Sequence, residues 1–258
     1  MAIRPTAEPT AENFAIVESA IPEPKHGEVL IRTLYMSLDP YMRGRMRLVK
    51  SYAAPLQEGD VMTGEVVAVV EKSESPIHKV GDTVRANIGW QEWAVVPAHI
   101  AKPVNPELGP VSTGVGVLGM PGMTAYFGLL AVWKPRAGDT LVVSAASGAV
   151  GAVVGQIGKI NGCFVIGVAG SDEKCKYIVD ELGFDAAINY KTQDVSAELA
   201  RLSPTGVDCY FDNVGGSVTD AVFENLALKA RVAICGQISQ YNAATPQMGP
   251  RNLGVLTK

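Results

Sequence analysis

The chain has 258 residues, with 22 Lys and Arg against 26 Asp and Glu, for a formal net charge of −4. That balance makes no electrostatic case for nucleic acid or an anionic membrane surface as partner. Hydrophobic residues make up 47% and charged residues 19%, the composition of a soluble α/β protein with a full core in one large domain or two. The opening MAIRPTAEPTAENF lacks the basic and apolar blocks of a signal peptide, and Gly and Ser interrupt every long apolar run. A cytoplasmic setting is therefore expected.

The first half is a series of short apolar or alternating runs, Glu28–Thr33, Val61–Val70, Thr83–Ala86 and Trp93–Val96, separated by Pro, Gly and Asp. Such spacing predicts a small, mostly β domain over residues 1–117. His26, His78 and His99 stand isolated in it and read as surface or turn residues. Leu118-Gly-Met-Pro-Gly122 reads as a hinge-like turn. A helix over Thr124–Val132, capped by Thr124, then leads into a second domain, 118–258.

There strands and helices alternate. Strands are predicted at Leu141–Ser144, Phe164–Val168, Ala186–Ile188, Val207–Phe211 and Arg231–Ile234, with helices such as Ser171–Leu182 and Val218–Leu228 between them. Ser171 is a good N-cap, Asp172 and Glu173 suit the positive helix end, and Gly183 closes the helix. This is a doubly wound parallel sheet of the Rossmann type, one strand short of the usual six. Cys163, Cys175, Cys209 and Cys235 all lie in this half without paired spacing. They argue against a disulfide framework or zinc site and read as buried free thiols.

The stretch Leu141–Gly170 organises the second domain. A β-branched run turns into small residues, a helix follows to about Asn161, and a second apolar run begins, all within about 30 residues, the size of one βαβ unit. The turn reads Ala145-x-x-Gly148-x-x-Gly151, a dinucleotide fingerprint with Ala at its first position. Gly148, Ala149, Val150 and Gly151 then form the phosphate-facing turn and helix N-terminus. The competing reading is that these small residues serve only helix–sheet packing.

An NAD site wants Asp or Glu at the end of the second strand, roughly 20 residues beyond the glycines. Here that strand ends Ala169-Gly170-Ser171, with Lys174 one turn on. Small neutral groups and a cation suit a 2′-phosphate. Lys174 is equally compatible with a solvated helix charge, and Asp172 keeps NAD open. Asn213 in Asp-Asn-Val-Gly-Gly ends the fourth strand, where ligands bind in open α/β sheets; a plain turn would look the same.

Taken with Ser37-Leu-Asp-Pro-Tyr-Met-Arg43, Phe211-Asp-Asn-Val-Gly-Gly216 and Cys235-Gly-Gln-Ile-Ser-Gln-Tyr-Asn242, this order closely resembles the zinc-independent branch of the medium-chain dehydrogenase/reductases. Within it, the resemblance is to the prostaglandin reductase and leukotriene B4 12-hydroxydehydrogenase group, with bacterial curcumin reductases and plant alkenal double-bond reductases. The resemblance covers essentially the whole chain. It implies a GroES-like first domain, a Rossmann second domain, NADP(H) as cofactor, and reduction of the carbon–carbon double bond of α,β-unsaturated ketones and aldehydes. By the same carry-over Lys174 binds the NADP phosphate and Tyr190 contacts the adenosine phosphate side. Asn213 lies near the cofactor ribose, and Cys235, Gly236, Ile238, Ser239 and Tyr241 belong to the loop lining the nicotinamide.

Tyr241 is the expected catalytic residue, because a phenol can hydrogen-bond the enolate oxygen that hydride addition creates; a packing role is its alternative. Tyr41 and Met120 are expected at the substrate pocket. Where zinc-dependent relatives carry Cys and Gly-His-Glu, this chain reads Ser37-Leu-Asp39 and Thr63-Gly64-Glu65, so no catalytic metal is expected. Family members continue past Lys258 with a last strand, a dimer edge and a segment returning to the first domain. A homodimer is accordingly expected of a full-length chain, and weak activity and poor solubility of these residues alone. Two further readings stay open: a quinone reductase of the related branch, and a catalytically silent NADPH-binding protein.

Overall fold

The computed structural model describes residues 1–50, 52–243 and 245. Contacts divide the chain into two units, Met1–Gly119 and Met120–Lys258. The first contains β1 (Glu28–Met36), a short helix α1 (Tyr41–Arg45), β2 (Glu65–Ser73), β3 (Thr83–Asn87), β4 (Trp93–Pro97) and β5 (Lys102–Pro103). These strands pair antiparallel in the order β4-β1-β2-β3-β5. Val29, Ile31, Val66, Ala68, Val70, Val84 and Val96 bury one continuous core, and alternate residues along each strand supply it.

The predicted run Val61–Val70 starts too early. β2 begins at Glu65, because Met62 packs instead in a separate methionine cluster with Met1, Met42, Met46 and Leu56. His78 corrects a second expectation: it is buried, not a surface residue. Its Nε2 lies 3.1 Å from the Ala98 carbonyl and 3.0 Å from that of Ala101, so the ring pins the turn after β4.

The second unit opens with α2 (Met120–Tyr126), which runs on as a π-helical segment, Phe127–Trp133. Thr124 therefore lies inside a helix rather than capping one; its hydroxyl reaches back to Met120 Sδ at 3.6 Å. Then follow β6 (Thr140–Ser144), α3 (Gly151–Ile160), β7 (Phe164–Ala169), α4 (Asp172–Asp180), β8 (Ala186–Asn189), α5 (Val195–Leu202), β9 (Val207–Asp212), α6 (Gly216–Glu224) and β10 (Leu226–Ile234).

The strands are parallel, in the order β10-β9-β6-β7-β8. Counted from β6, that is the 3-2-1-4-5 arrangement of the doubly wound fold, and the direction of winding reverses between β6 and β9. One face of the sheet packs Leu141, Val143, Val165 and Phe211 against Trp133, Val154 and Phe184. The other packs Val142, Ile166, Val168 and Tyr210 against Leu199 and Val222. Strands buried on both faces read as unbroken apolar runs, which is why the βαβ order was legible.

A helix and the cysteines differ from expectation. The helix expected over Val218–Leu228 is Gly216–Glu224, because Leu226 already pairs with Val207 as the start of β10. Of the thiols expected to be buried, Cys163 and Cys209 are, whereas Cys175 is half-buried and Cys235 exposed. Ser171 does cap α4, its hydroxyl accepting the Lys174 N–H at 3.2 Å.

Candidate functional site

β6 ends in a turn that no ordinary residue sequence would make. Ala145 sits at φ +49°, a left-handed conformation that costs a side-chain-bearing residue roughly 1 kcal/mol. It aims its carbonyl at the start of α3, where Gly148 N–H donates to it at 2.9 Å. A Cβ on Gly151 would stand 2.4 Å from that same carbonyl oxygen, so only glycine closes the turn. The backbone N–H groups of Ala149, Val150 and Gly151 have no acceptor among the described residues. Three such donors at the start of a ten-residue helix make an anion cradle. The packing reading also holds, one turn further along. A Cβ on Gly155 would meet the Phe184 ring at 1.8 Å, and one on Gly158 would meet Leu141 at 2.6 Å.

Across the winding reversal, the ends of β6 and β9 are tied by buried polar groups that the sequence did not single out. Asp212, 1% exposed, accepts at Oδ1 from the Tyr210 hydroxyl (2.8 Å) and from the Val214 and Gly215 N–H groups (2.9 Å each). Its Oδ2 accepts from the Thr219 hydroxyl at 2.7 Å. Burial, and then the Asp212 charge, raise the Tyr210 phenol above its ordinary pKa, so it stays a donor. Asn213 donates its side-chain amide to the Ser144 carbonyl at 2.8 Å, and its N–H to the Ser144 hydroxyl at 2.9 Å. Asn213 therefore braces the floor of the site. The partners of Asp212 come from three elements, and no spacing in the sequence announces them.

Above this floor lies a groove of about 370 Å3 lined by Ser144, Ala145, Ser147, Gly148, Ala169, Gly170, Lys174, Tyr190, Lys191, Val214, Ile238 and Ser239, with Val168 and Val218. Of the predicted residues it brings together Gly148, Lys174, Tyr190, Ile238 and Ser239. Gly170 is a cradle: a Cβ there would come within 2.9 Å of the Tyr190 hydroxyl. Neither the Lys174 nor the Lys191 ammonium has a hydrogen-bond or ion-pair partner among the described residues. Lys191 was not singled out from sequence, although it directly follows Tyr190.

Cys235 and Gly236 begin the loop after β10, both donating N–H to the Asp212 carbonyl, at 2.8 and 3.0 Å. Ser239 fixes that loop by donating its hydroxyl to the Val214 carbonyl at 2.6 Å. The Tyr241 hydroxyl accepts the Gln237 N–H at 3.2 Å, leaving its own proton to donate. Met120 opens α2. In the first unit, Tyr41 opens α1, where burial raises its phenol pKa and a hydrogen bond with Thr63 partly offsets this. That unit also holds a larger hollow of about 600 Å3 beside His78, His99 and Lys102. On its walls His78 Nε2 faces the Ala98 and Ala101 carbonyls and Lys102 Nζ donates to the His99 carbonyl at 3.1 Å, whereas the groove in the second unit gathers the residues predicted from sequence.

The family described as the N-terminal domain of oxidoreductase matches residues 1–104, and that described as zinc-binding dehydrogenase matches residues 149–255. NADPH-dependent curcumin reductase of Escherichia coli (strain K12) is 45% identical over 256 residues, which cover 99% of this chain and 74% of that one. The chain belongs to the zinc-independent branch of the medium-chain dehydrogenase/reductases. Within this family, prostaglandin reductase 1 of Mus musculus is 47% identical over 242 residues, covering 92% of this chain and 71% of its own. The crystal structure of CurA in complex with NADPH from Vibrio vulnificus matches with a TM-score of 0.91 at 50% identity, over 99% of this chain and 76% of that one. Despite the second family's description, no group of three or more His, Cys, Asp or Glu side chains among the described residues could hold a metal ion. No helix among them is long and apolar enough to cross a membrane.

Proposed function

We propose that this chain reduces the carbon–carbon double bond of α,β-unsaturated ketones and aldehydes at the expense of NADPH. The observation that carries the reading is the groove at the sheet's winding reversal, lined by Gly148 of the turn that leads into three unpaired backbone donors and by two lysines without partners, Lys174 and Lys191. A dinucleotide with an extra phosphate asks for that distribution of charge. Relatives named for curcumin, prostaglandin and 2-alkenal reduction support the substrate class.

Bound NADPH supplies the hydride that adds to the β-carbon of the substrate. Ala149, Val150 and Gly151 would hold the pyrophosphate on their open backbone N–H groups, and Lys174 and Tyr190 would hold the adenosine end. Ser144 and Asn213 keep the strand ends rigid beneath, so the donors are already in place when charge arrives. Cys235, Gly236, Ile238 and Ser239 shape the wall of the nicotinamide end. Tyr241 donates its phenolic proton toward the carbonyl oxygen as that atom becomes an enolate, and Met120 contributes to the substrate pocket.

The test is NADPH consumption, followed optically, with an enone, with a quinone, and with neither, beside a direct NADPH titration. Turnover with the enone is the expected result. Turnover with the quinone alone would overturn the substrate class, and binding without turnover would reduce the chain to a cofactor-binding protein.

A further inference from the structure

We propose that Asn189 and Lys191 set the preference for a 2′-phosphorylated dinucleotide, an inference that rests on the dinucleotide reading above. Asn189 ends β8, is 4% exposed, and commits its polar groups to three neighbours. Its Nδ2 donates to Asp172 Oδ1 at 2.7 Å, its Oδ1 accepts the Lys191 N–H at 3.1 Å, and its own N–H donates to Gln193 Oε1 at 2.8 Å. A buried amide satisfied in this way is a rigid connector between the first turn of α4 and the turn after β8.

Two consequences follow for the groove. Asp172, the carboxylate that opens α4 and that kept NAD open from the sequence, has an oxygen tied to Asn189 and does not line the groove. Lys191, its backbone fixed by Asn189, lines the groove beside Tyr190 and on the same site as Lys174. One unpaired surface lysine is ordinary. Two in a single groove offer an anion two cations at once, and a phosphate carrying close to two charges matches that pair. Asn189 is thus a positioning residue, and Lys191 the second cation of the phosphate site.

The test is equilibrium binding of adenosine 2′,5′-bisphosphate, AMP, NADPH and NADH to the 258-residue chain, with a thermal melt of every variant. Lys191 is exposed, so Lys191→Ala should fold normally, weaken the bisphosphate about tenfold and leave AMP within about twofold; Lys191→Arg should keep most of the affinity. Asn189→Ala should lower the NADPH-over-NADH preference about tenfold, and adding Asp172→Asn to the same chain should restore most of it. Unchanged bisphosphate binding in Lys191→Ala would remove Lys191 from the site. Equal weakening of NADPH and NADH in Asn189→Ala, unrelieved by Asp172→Asn, would leave Asn189 a purely structural role. If the unmodified chain binds none of the four probes, the dinucleotide reading falls and takes this inference with it. If the unmodified chain prefers the bisphosphate but no variant alters the preference, the inference alone falls.

Discussion

Lys174 stands at the first turn of α4, its backbone N–H held by Ser171 and its ammonium unpaired in the groove. Lys174→Ala is expected to weaken NADPH binding by about 1–3 kcal/mol, the scale of a hydrogen bond to a charged group, while NADH binding stays nearly constant. Titration of both cofactors checks this; equal losses would detach Lys174 from the phosphate. Tyr241 poses a different question, since its hydroxyl accepts the Gln237 N–H and keeps its own proton to donate. Tyr241→Phe should lower enone turnover by roughly 10²-fold, the effect of losing one oxyanion donor, with NADPH affinity changed by no more than a few-fold. Unchanged turnover, where hydride transfer is shown to be rate-limiting, would leave the ring a packing role. That Lys174 would line the groove was legible from its motif, because a local motif keeps its neighbours in sequence. The hydrogen bond from the Ser144 hydroxyl to Asp212 was not, because the two residues lie 68 apart in sequence.

At the scale of elements, the β6–α3 turn decides whether the anion cradle exists. Its tightest contact is backbone against backbone, so Gly151→Ala cannot be relieved by a rotamer change: the new methyl would lie 2.4 Å from the Ala145 oxygen and 2.9 Å from Ala146 Cα. A loss of about 1–3 kcal/mol is expected, as for other overpacked positions, together with weaker binding of NADPH and NADH alike. Denaturant melts and cofactor titrations would show it, and wild-type stability would mean that the turn yields more easily than its geometry implies. The fingerprint spacing announced this turn correctly even with Ala145 at its first position. The helix over Val218–Leu228 was misjudged for an opposite reason. Apolar periodicity runs on past Glu224, but pairing of Leu226 with Val207 recruits those residues to the sheet.

For the whole molecule, the order of a β unit followed by a parallel αβ unit sets what each part can contribute. The parallel sheet supplies a winding reversal and hence a ligand groove, while the antiparallel unit carries its own apolar core. Positions that would carry metal ligands in zinc-dependent relatives hold Ser37 and Gly64-Glu65 here. Activity is therefore expected to survive a strong chelator, and elemental analysis to find no stoichiometric zinc. One tightly held zinc per chain, lost together with activity, would overturn that expectation.

The sequence by itself determined the class of fold, the position of the dinucleotide turn and the chemistry to expect, because these rest on local pattern. Apolar runs buried on both faces mark parallel strands, and glycine spacing marks the turn before α3, which a Cβ on Gly151 would block. Only the tertiary structure decided which polar groups meet. It buried His78 against two carbonyls, gathered five donors around Asp212, and drew Asp172 onto Asn189 while bringing Lys191 to the groove. Contacts such as Ser144 with Asp212 and Asp172 with Asn189 depend on how separate elements come side by side, and no local pattern records that.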